Sequence, residues 1–328
     1  MPAVVAAKAV EFFMPLAARD FLVGFYGGEP LLAFDLIRTS VERTRALARA
    51  AGRRPRFTLT TNGSLLTEDI LGFLEANRFS LVLSYDGAAQ DDQRAPGSGR
   101  FLRDHIRRIV KKNRIRLEVN AVFTARNVSN LAATVSELDD LNVPRVRYGL
   151  SSLEAWSDRA RRRLMAEIEN VGRWTKERRR LGTPMVLVNL QENLEKRAFS
   201  CSAGLDRLAV DAQGRIWGCP LFSDFFRKTN AARIKERYCF GSILRLETRP
   251  ENWDTRYGRI FPNYSRLNTD GPRTSSGPCF LCSLRAFCRI CPVNAALSGG
   301  RLDLVPERLC RLNKTKIAAG RKTAPAPA

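Results

Sequence analysis

The sequence predicts an α/β protein, a parallel sheet with helical crossovers followed by a small cysteine-rich module. Three observations carry this expectation. Short apolar runs alternate with amphipathic stretches through roughly the first 195 residues, the pattern of repeated βα units. All eight cysteines lie between Cys201 and Cys310. Charge is divided just as unevenly: residues 1–100 hold 12 basic and 11 acidic side chains, so nearly all of the net +22 falls later.

Met1–Leu16 reads as a helix and Phe21–Tyr26 as a strand ending in Gly27-Gly28. A helix follows over Ala33–Ala51 and a strand over Phe57–Thr61. Thr67 and Glu68 stand where they would cap a helix running to Asn77. Strands are expected at Phe79–Ser84, Leu117–Phe123 and Arg145–Leu150, with helices at Phe101–Lys112, Asn127–Leu141 and Asp158–Arg180. Leu164, Ile168, Val171 and Trp174 mark one face of the last helix. In parallel β/α sheets, ligands gather at the carboxyl ends of strands. At three such ends stand Gly27-Gly28-Glu29, Thr61-Asn62-Gly63 and Ser84-Tyr85-Asp86-Gly87. Each alone is ordinary turn chemistry; three in successive units point to a site. Paired glycines let a ligand approach the backbone, and Glu29 can accept from an ammonium group.

Composition excludes several classes of function. At 44% hydrophobic residues the 328-residue chain buries a real core. No apolar run reaches the roughly 20 residues of a membrane span, and the first residues lack the pattern of a secretory signal. The expected compartment is therefore the cytoplasm, with no membrane partner. A single histidine, His105, starves paired-His zinc sites and imidazole-based hydrolysis. Among Arg103 and Arg107 it is expected at the surface. The basic runs Lys111–Arg116, Arg161–Arg163 and Arg178–Arg180 read as solvated helix faces.

Cys201 and Cys219 bracket an expected hairpin, Leu205–Val210 and Arg215–Trp217, turning at Ala212-Gln213-Gly214. Cys279-x₂-Cys282-x₅-Cys288-x₂-Cys291 follows, then Cys310. Spacings this close let one loop supply several thiolates to zinc or to an iron–sulfur cluster. A disulfide framework is disfavoured in a long cytosolic chain. Spacing alone leaves zinc and iron–sulfur both open.

GGEPLL at Gly27–Leu32, TNGSLL at Thr61–Leu66 and SYDG at Ser84–Gly87 resemble strand ends of the radical S-adenosylmethionine enzymes. The second half resembles their SPASM extension, which binds auxiliary [4Fe-4S] clusters. Its signature opens Cys-x₉₋₁₅-Gly-x₄-Cys, matched by Cys201, Gly214 and Cys219. The resemblance covers about residues 1–312. It implies a partial (β/α) barrel lacking its first strand over residues 1–195, a SPASM module over 196–312 and a disordered tail over 313–328. It further implies that Gly27, Gly28 and Glu29 hold the methionyl ammonium of S-adenosylmethionine (AdoMet), with Ser84 and Asn62 shaping the pocket. By the same resemblance, Cys279, Cys282, Cys288 and Cys310 would hold one auxiliary cluster, while Cys201, Cys219 and Cys291 serve the other. The implied activity is modification of a peptide or protein by 5′-deoxyadenosyl-radical chemistry, with a ferredoxin or flavodoxin as reductant.

Departures from that pattern are specific. The spacing before Cys291 is x₂ where x₃ is common. Cys239 would complete the second set, or serve as a buried thiol beside Tyr238 and Phe240. Pro220 follows Cys219 where sulfatase-maturating relatives carry an Asp base, so formylglycine formation is not expected. No cysteine precedes Cys201, so the CxxxCxxC loop of the catalytic cluster is missing. This predicts a truncated chain, inactive alone in AdoMet cleavage, or else a catalytically dead iron–sulfur scaffold; no catalytic residue is assigned. The rival from another class is a zinc-stapled basic protein that binds nucleic acid. It lacks any recognition signature and leaves the three strand-end motifs unexplained.

Overall fold

In chain order, the first elements are α1 (Ala3–Phe13), β1 (Asp20–Phe25), α2 (Phe34–Ala50), β2 (Arg54–Thr61), α3 (Glu68–Ala76) and β3 (Ser80–Ser84). There follow α4 (Gln90–Gln93), α5 (Ser98–Lys112), β4 (Arg116–Phe123), α6 (Leu131–Asp140), β5 (Arg145–Leu150), α7 (Asp158–Arg180) and β6 (Val186–Leu187). The remainder holds β7 (Ala209–Val210), β8 (Arg215–Trp217), α8 (Pro220–Lys228), α9 (Ala232–Tyr238), β9 (Cys239–Ser242) and α10 (Trp253–Thr269). It closes with β10 (Arg273–Thr274), β11 (Gly277–Pro278), α11 (Pro292–Gly299) and α12 (Glu307–Thr323). The structure, a computed structural model, describes residues 1–182, 185–188, 201–229, 232–245, 250–269, 273–275, 277–284, 287–288, 290–299 and 301–323.

The chain divides into two compact units, each made of two separate stretches. One joins Met1–Leu59 to Ser200–Pro272; the other joins Thr60–Phe199 to Arg273–Ala328. The boundary expected at residue 195 lies outside the described residues, and neither unit follows that linear division.

In the first unit β1 pairs in parallel with β2, Asp20 opposite Arg54 and Phe25 opposite Leu59. An Arg43–Glu11 ion pair ties α2 to α1. Ile37, Val41, Thr44 and Ala48 form the buried stripe of α2, the 3.6-residue period of a helix with one wet face. The later stretch contributes the antiparallel strands β7, β8 and β9. Trp253 at the start of α10 meets Phe12 edge-on, with ring centroids 5.5 Å apart, and Phe240 stacks on Tyr264. An aromatic core thus joins the first helix to the cysteine-rich stretch. Aromatic pairing adds roughly 0.5–1.5 kcal/mol per contact beyond area burial.

The second unit carries β3, β4, β5 and β6, each parallel to the next. Along β4, alternate residues are fully buried, as a strand with one face on the core demands. α5 buries Leu102, His105, Ile106 and Ile109, at spacings of three and four residues. His105 therefore belongs to the core, not the surface. The expectation went astray because the flanking Arg103 and Arg107 point away from the stripe that position 105 joins.

The tail expected over 313–328 is also corrected. Residues 307–323 form α12, which packs on α7 and buries Leu309, Leu312, Asn313 and Ala319. The apolar stripe of α12 outweighs its polar composition; residues 324–328 lie outside the described residues. No helix among the described residues is long and apolar enough to cross a membrane.

Candidate functional site

At the carboxyl end of β1 the chain turns through two left-handed glycines, Gly27 at φ +104° and Gly28 at φ +55°. A β-carbon built on either would meet nothing within 4 Å. Glycine is required there by the backbone and not by crowding, so the turn carries open space above it. Glu29 follows in extended conformation. Its Oε1 accepts from the Leu31 amide at 3.1 Å and so caps the single turn Pro30–Ala33. Tyr26, just before the glycines, is 54% exposed. Burial raises its phenol above the ordinary range, and the charges of Asp224 and Cys219 add to the shift. That places Tyr26 close to the start of α8, whose N-terminal neighbour is Cys219.

The second unit holds the other two strand-end turns. Thr61 Oγ1 accepts from the Gly63 amide at 3.0 Å, and Asn62 Oδ1 from the Ser64 amide at 2.8 Å. Gly63, at φ +79°, has no room for a side chain: its β-carbon would fall 2.5 Å from Leu102 Cδ2 and 2.7 Å from Leu83 Cδ1. Asn62 borders an open depression of about 320 Å³, lined also by Ser64, Gly97, Ser98 and Phe101. Ser84 ends β3, half-buried.

Beyond Ser84 the polar groups are committed inward. Asp86 Oδ2 accepts from Arg94 Nε at 2.7 Å, and Oδ1 from the Val122 amide at 2.8 Å. Tyr85 donates to Glu137 at 2.5 Å. Burial, and then Glu137, drive its phenol far above the ordinary value. The β-carbon of a residue replacing Gly87 would lie 2.2 Å from Thr134 Oγ1. The Asp86-Gly87 half of this segment is a structural latch between β3, β4 and α6.

The described cysteines fall into the two units separately: Cys201, Cys219 and Cys239 in the first, Cys279, Cys282, Cys288, Cys291 and Cys310 in the second. In the second, burial and then the charges of Cys310, Cys279 and Cys282 push the Cys288 thiol up to about 12. Cys279 and Cys310 are likewise raised, by burial first and then in part by neighbouring thiols. Four sulfurs therefore lie in one another's field. A bound cation would reverse this penalty by holding all four as thiolates. Among the described residues, no three His, Cys, Asp or Glu side chains converge on a single metal-ion position. In the first unit, Cys201 and Cys219 both act on Arg207, and Cys219 and Cys239 on Tyr264. Cys239 also donates to the Gly241 carbonyl at 3.4 Å.

Two supporting residues escaped sequence reasoning. Tyr264 Oη accepts from the Gly218 amide at 2.8 Å and donates to the Tyr238 carbonyl, fixing the backbone that presents Cys219. The β-carbon of a residue replacing Gly218 would meet Tyr264 Cε1 at 2.4 Å. Asp211 accepts from the Gln213 and Arg215 amides, from Arg215 Nε at 2.7 Å and from Trp217 Nε1 at 3.0 Å, organising the hairpin between Cys201 and Cys219. Asp211 precedes a turn in the sequence and could have been noticed. Tyr264 lies 45 residues beyond Cys219, on a helix that carries no motif.

No family model matches the chain. An uncharacterized protein of Methanocaldococcus jannaschii is 23% identical over 257 residues, covering 74% of this chain and 86% of its own length. Among solved structures, native anSMEcpe with bound AdoMet aligns with a TM-score of 0.73 at 15% identity, over 98% of this chain and 88% of its own. The same protein with AdoMet and a peptide aligns at 0.71, again at 15% identity, over 98% and 89% of the two chains. Streptococcus suis SuiB bound to the precursor peptide SuiA aligns at 0.60 and 13% identity, over 95% of this chain and 69% of its own. The chain shares the fold of these proteins, an α/β architecture with six parallel strands.

Proposed function

We propose that the chain is a radical AdoMet protein of the SPASM type that acts on a peptide. The observation that carries the proposal is the turn after β1. Two consecutive left-handed glycines hold open space beside Glu29, at a strand's carboxyl end, in a fold shared with structures that contain AdoMet. The peptides bound in the anSMEcpe and SuiB structures support a peptide substrate here.

In this reading Gly27 and Gly28 give the methionyl ammonium access to the backbone, and Glu29 supplies the countercharge. The thiols fit auxiliary iron–sulfur clusters by the chemistry of their donor sets. Cys279, Cys282, Cys288 and Cys310 are all-sulfur and mutually interacting, the donor set of a four-iron cluster. Such clusters, when bound, supply one-electron transfer, with a ferredoxin or flavodoxin as the external reductant. The protein groups hold substrate and cofactor in register. Pro220 opens α8 and has no titratable group, so the favoured reaction is a peptide modification other than formylglycine formation. Because no cysteine precedes Cys201, these 328 residues bind AdoMet without cleaving it reductively.

The test separates cofactor binding from local folding. Glu29→Gln keeps an oxygen to accept from Leu31 but removes the charge. Calorimetry on anaerobically reconstituted protein should show AdoMet binding weakened at least about tenfold by that change, the loss of one charge-assisted contact, with thermal stability nearly unaltered. Unchanged affinity would remove Glu29 from the site. Iron and acid-labile sulfide should accompany the protein, with part of both lost in Cys282→Ser. Stoichiometric zinc without sulfide would instead favour the zinc-stapled alternative.

A further inference from the structure

The parallel strands of the second unit bury one face. Leu83, Val119 and Val146 stand in one register row across β3, β4 and β5, all fully buried. One residue on, Ser84, Asn120 and Arg147 form the next row, and their side chains take the opposite face. No residue of that second face on these three strands is fully buried. Its charge is out of balance. Arg147 Nε donates to Glu118 Oε1 at 2.9 Å, and Arg145 Nε to Glu118 Oε2 at 3.4 Å. Arg116, two residues before Glu118, is exposed on the same face. Three guanidinium groups of β4 and β5 thus share a face with one carboxylate. Within the row, the Ser84 hydroxyl and the Asn120 amide have no hydrogen-bond partner among the described residues. Gly149, two residues after Arg147, places no side chain between the row and the end of β5, a mark of sites where another backbone comes close.

We propose that Asn120 and Arg147 form a carboxylate-binding subsite that selects an acidic residue in the peptide substrate, with Glu118 as the positioning residue for Arg147. The proposal rests on the reading that the chain acts on a peptide, and it names the kind of peptide. Charge complementarity selects the ligand. A guanidinium and a neighbouring amide N–H both donate to a carboxylate, and the charged donor makes the stronger bond. Adjacent strands lie about 4.8 Å apart, so one carboxyl group can accept from both residues of the row. A lysine would meet the surplus of like charge, and a glutamine would lose the charge-assisted bond. AdoMet also carries a carboxylate. Its proposed turn, however, begins past the last residue of β1, whereas Asn120 and Arg147 each stand three residues short of their strand's end. A subsite on the sheet face suits a chain lying across the strands more than a cofactor gathered at their ends.

The probe is a set of capped heptapeptides, randomised except for a central Glu, Gln or Lys. Each set is passed over the immobilised full chain, anaerobically reconstituted, and the retained peptides are counted by mass spectrometry. The parent should retain the Glu set about tenfold over the Gln set, the effect of one charge-assisted contact, and the Lys set least. Glu118→Gln/Arg147→Gln removes one acid and one base, so the net charge stays at +22; it should bring the Glu set down to the Gln set. Asn120→Ala breaks no internal hydrogen bond among the described residues, and should lower the preference about threefold. Arg159→Gln/Arg162→Gln, on exposed positions of α7, should leave it as in the parent. Equal loss in the α7 variant would reduce the preference to net charge and overturn the subsite. So would a preference that survives both Glu118→Gln/Arg147→Gln and Asn120→Ala. Calorimetry should find AdoMet affinity within about twofold of the parent in Glu118→Gln/Arg147→Gln. Loss of AdoMet binding there with the peptide preference intact would assign the carboxylate to the cofactor and overturn the proposal. A parent that retains all three sets equally would overturn the subsite and leave the peptide reading standing, whereas a parent that retains none would overturn both.

Discussion

After β3, the segment Ser84-Tyr85-Asp86-Gly87 turns its carboxylate into the protein, where Arg94 and the Val122 amide occupy it and Thr134 fills the space beside Gly87. After β1, Tyr26-Gly27-Gly28-Glu29 makes a turn of similar composition, and among the described residues no atom lies within 4 Å of a β-carbon built on either glycine. Both pair glycine with an acid at the carboxyl end of a parallel strand. One is consumed by its own fold, whereas the other leaves room for a ligand. A glycine-acid motif at a strand end is therefore stronger evidence of a site where the space over its glycines is not already filled.

That contrast can be broken most sharply at the latch. Gly87→Ala combines a left-handed backbone with a 2.2 Å approach to Thr134, and should cost about 3 kcal/mol. Asp86→Ala strands Arg94 and an amide, and should cost about as much. Urea midpoints at constant slope would measure both. A loss below about 1 kcal/mol would show that the two turns do not differ in this way.

A smaller effect is expected at Tyr264, which fixes the Cys219 segment. Tyr264→Phe leaves a buried amide and a buried carbonyl without their partner, and should cost about 2 kcal/mol. Thermal unfolding reads the loss. The latch and this tyrosine should then behave alike, as structural supports of the turns they hold.

Gly28→Ala probes the other side of the comparison. It meets no neighbour, so only the backbone penalty of about 1–2 kcal/mol remains. AdoMet binding should suffer out of proportion to that loss, measured by calorimetry on the folded variant. Stability loss as large as that of Gly87→Ala would mean the turn after β1 is also structurally occupied.

The smallest effect compares two buried polar groups of one unit. Asp86 is fully bonded, whereas both ring nitrogens of His105 lack a hydrogen-bond partner among the described residues. Burial, reinforced by Arg108, lowers the His105 pKa, with Glu68 and Asp104 opposing. The folded protein therefore disfavours the imidazolium, and the unfolded chain binds the proton more readily. Stability should fall as pH drops below the unfolded value near 6.5. His105→Leu should flatten that slope between about pH 7 and 5, and an unaltered slope would assign it to other groups.

Much of this was legible in the sequence because it rests on local periodicity. Alternating strands and amphipathic helices announce a parallel β/α fold, and β5 and α7 lie where the pattern placed them. The grouping of Cys279, Cys282, Cys288 and Cys310 as one ligand set came from a resemblance and not from periodicity. The burial of His105 was also written in its position, three and four residues from Leu102 and Ile109, but its charged neighbours outweighed the period.

By itself the sequence determined where strands and helices run, that thiols cluster in the second half, and which strand ends could carry a ligand. These depend on neighbours within one or two turns of chain. Only the tertiary structure decided which of those turns are full and which are open, since Thr134, Leu102 and Arg94 reach them from other elements. It also decided that the first 59 residues pack with the cysteine-rich stretch through Phe12 and Trp253, and that α12 is a packed helix and not a tail. Packing partners far apart in sequence leave no periodic trace, because what selects them is the shape and burial of the assembled core.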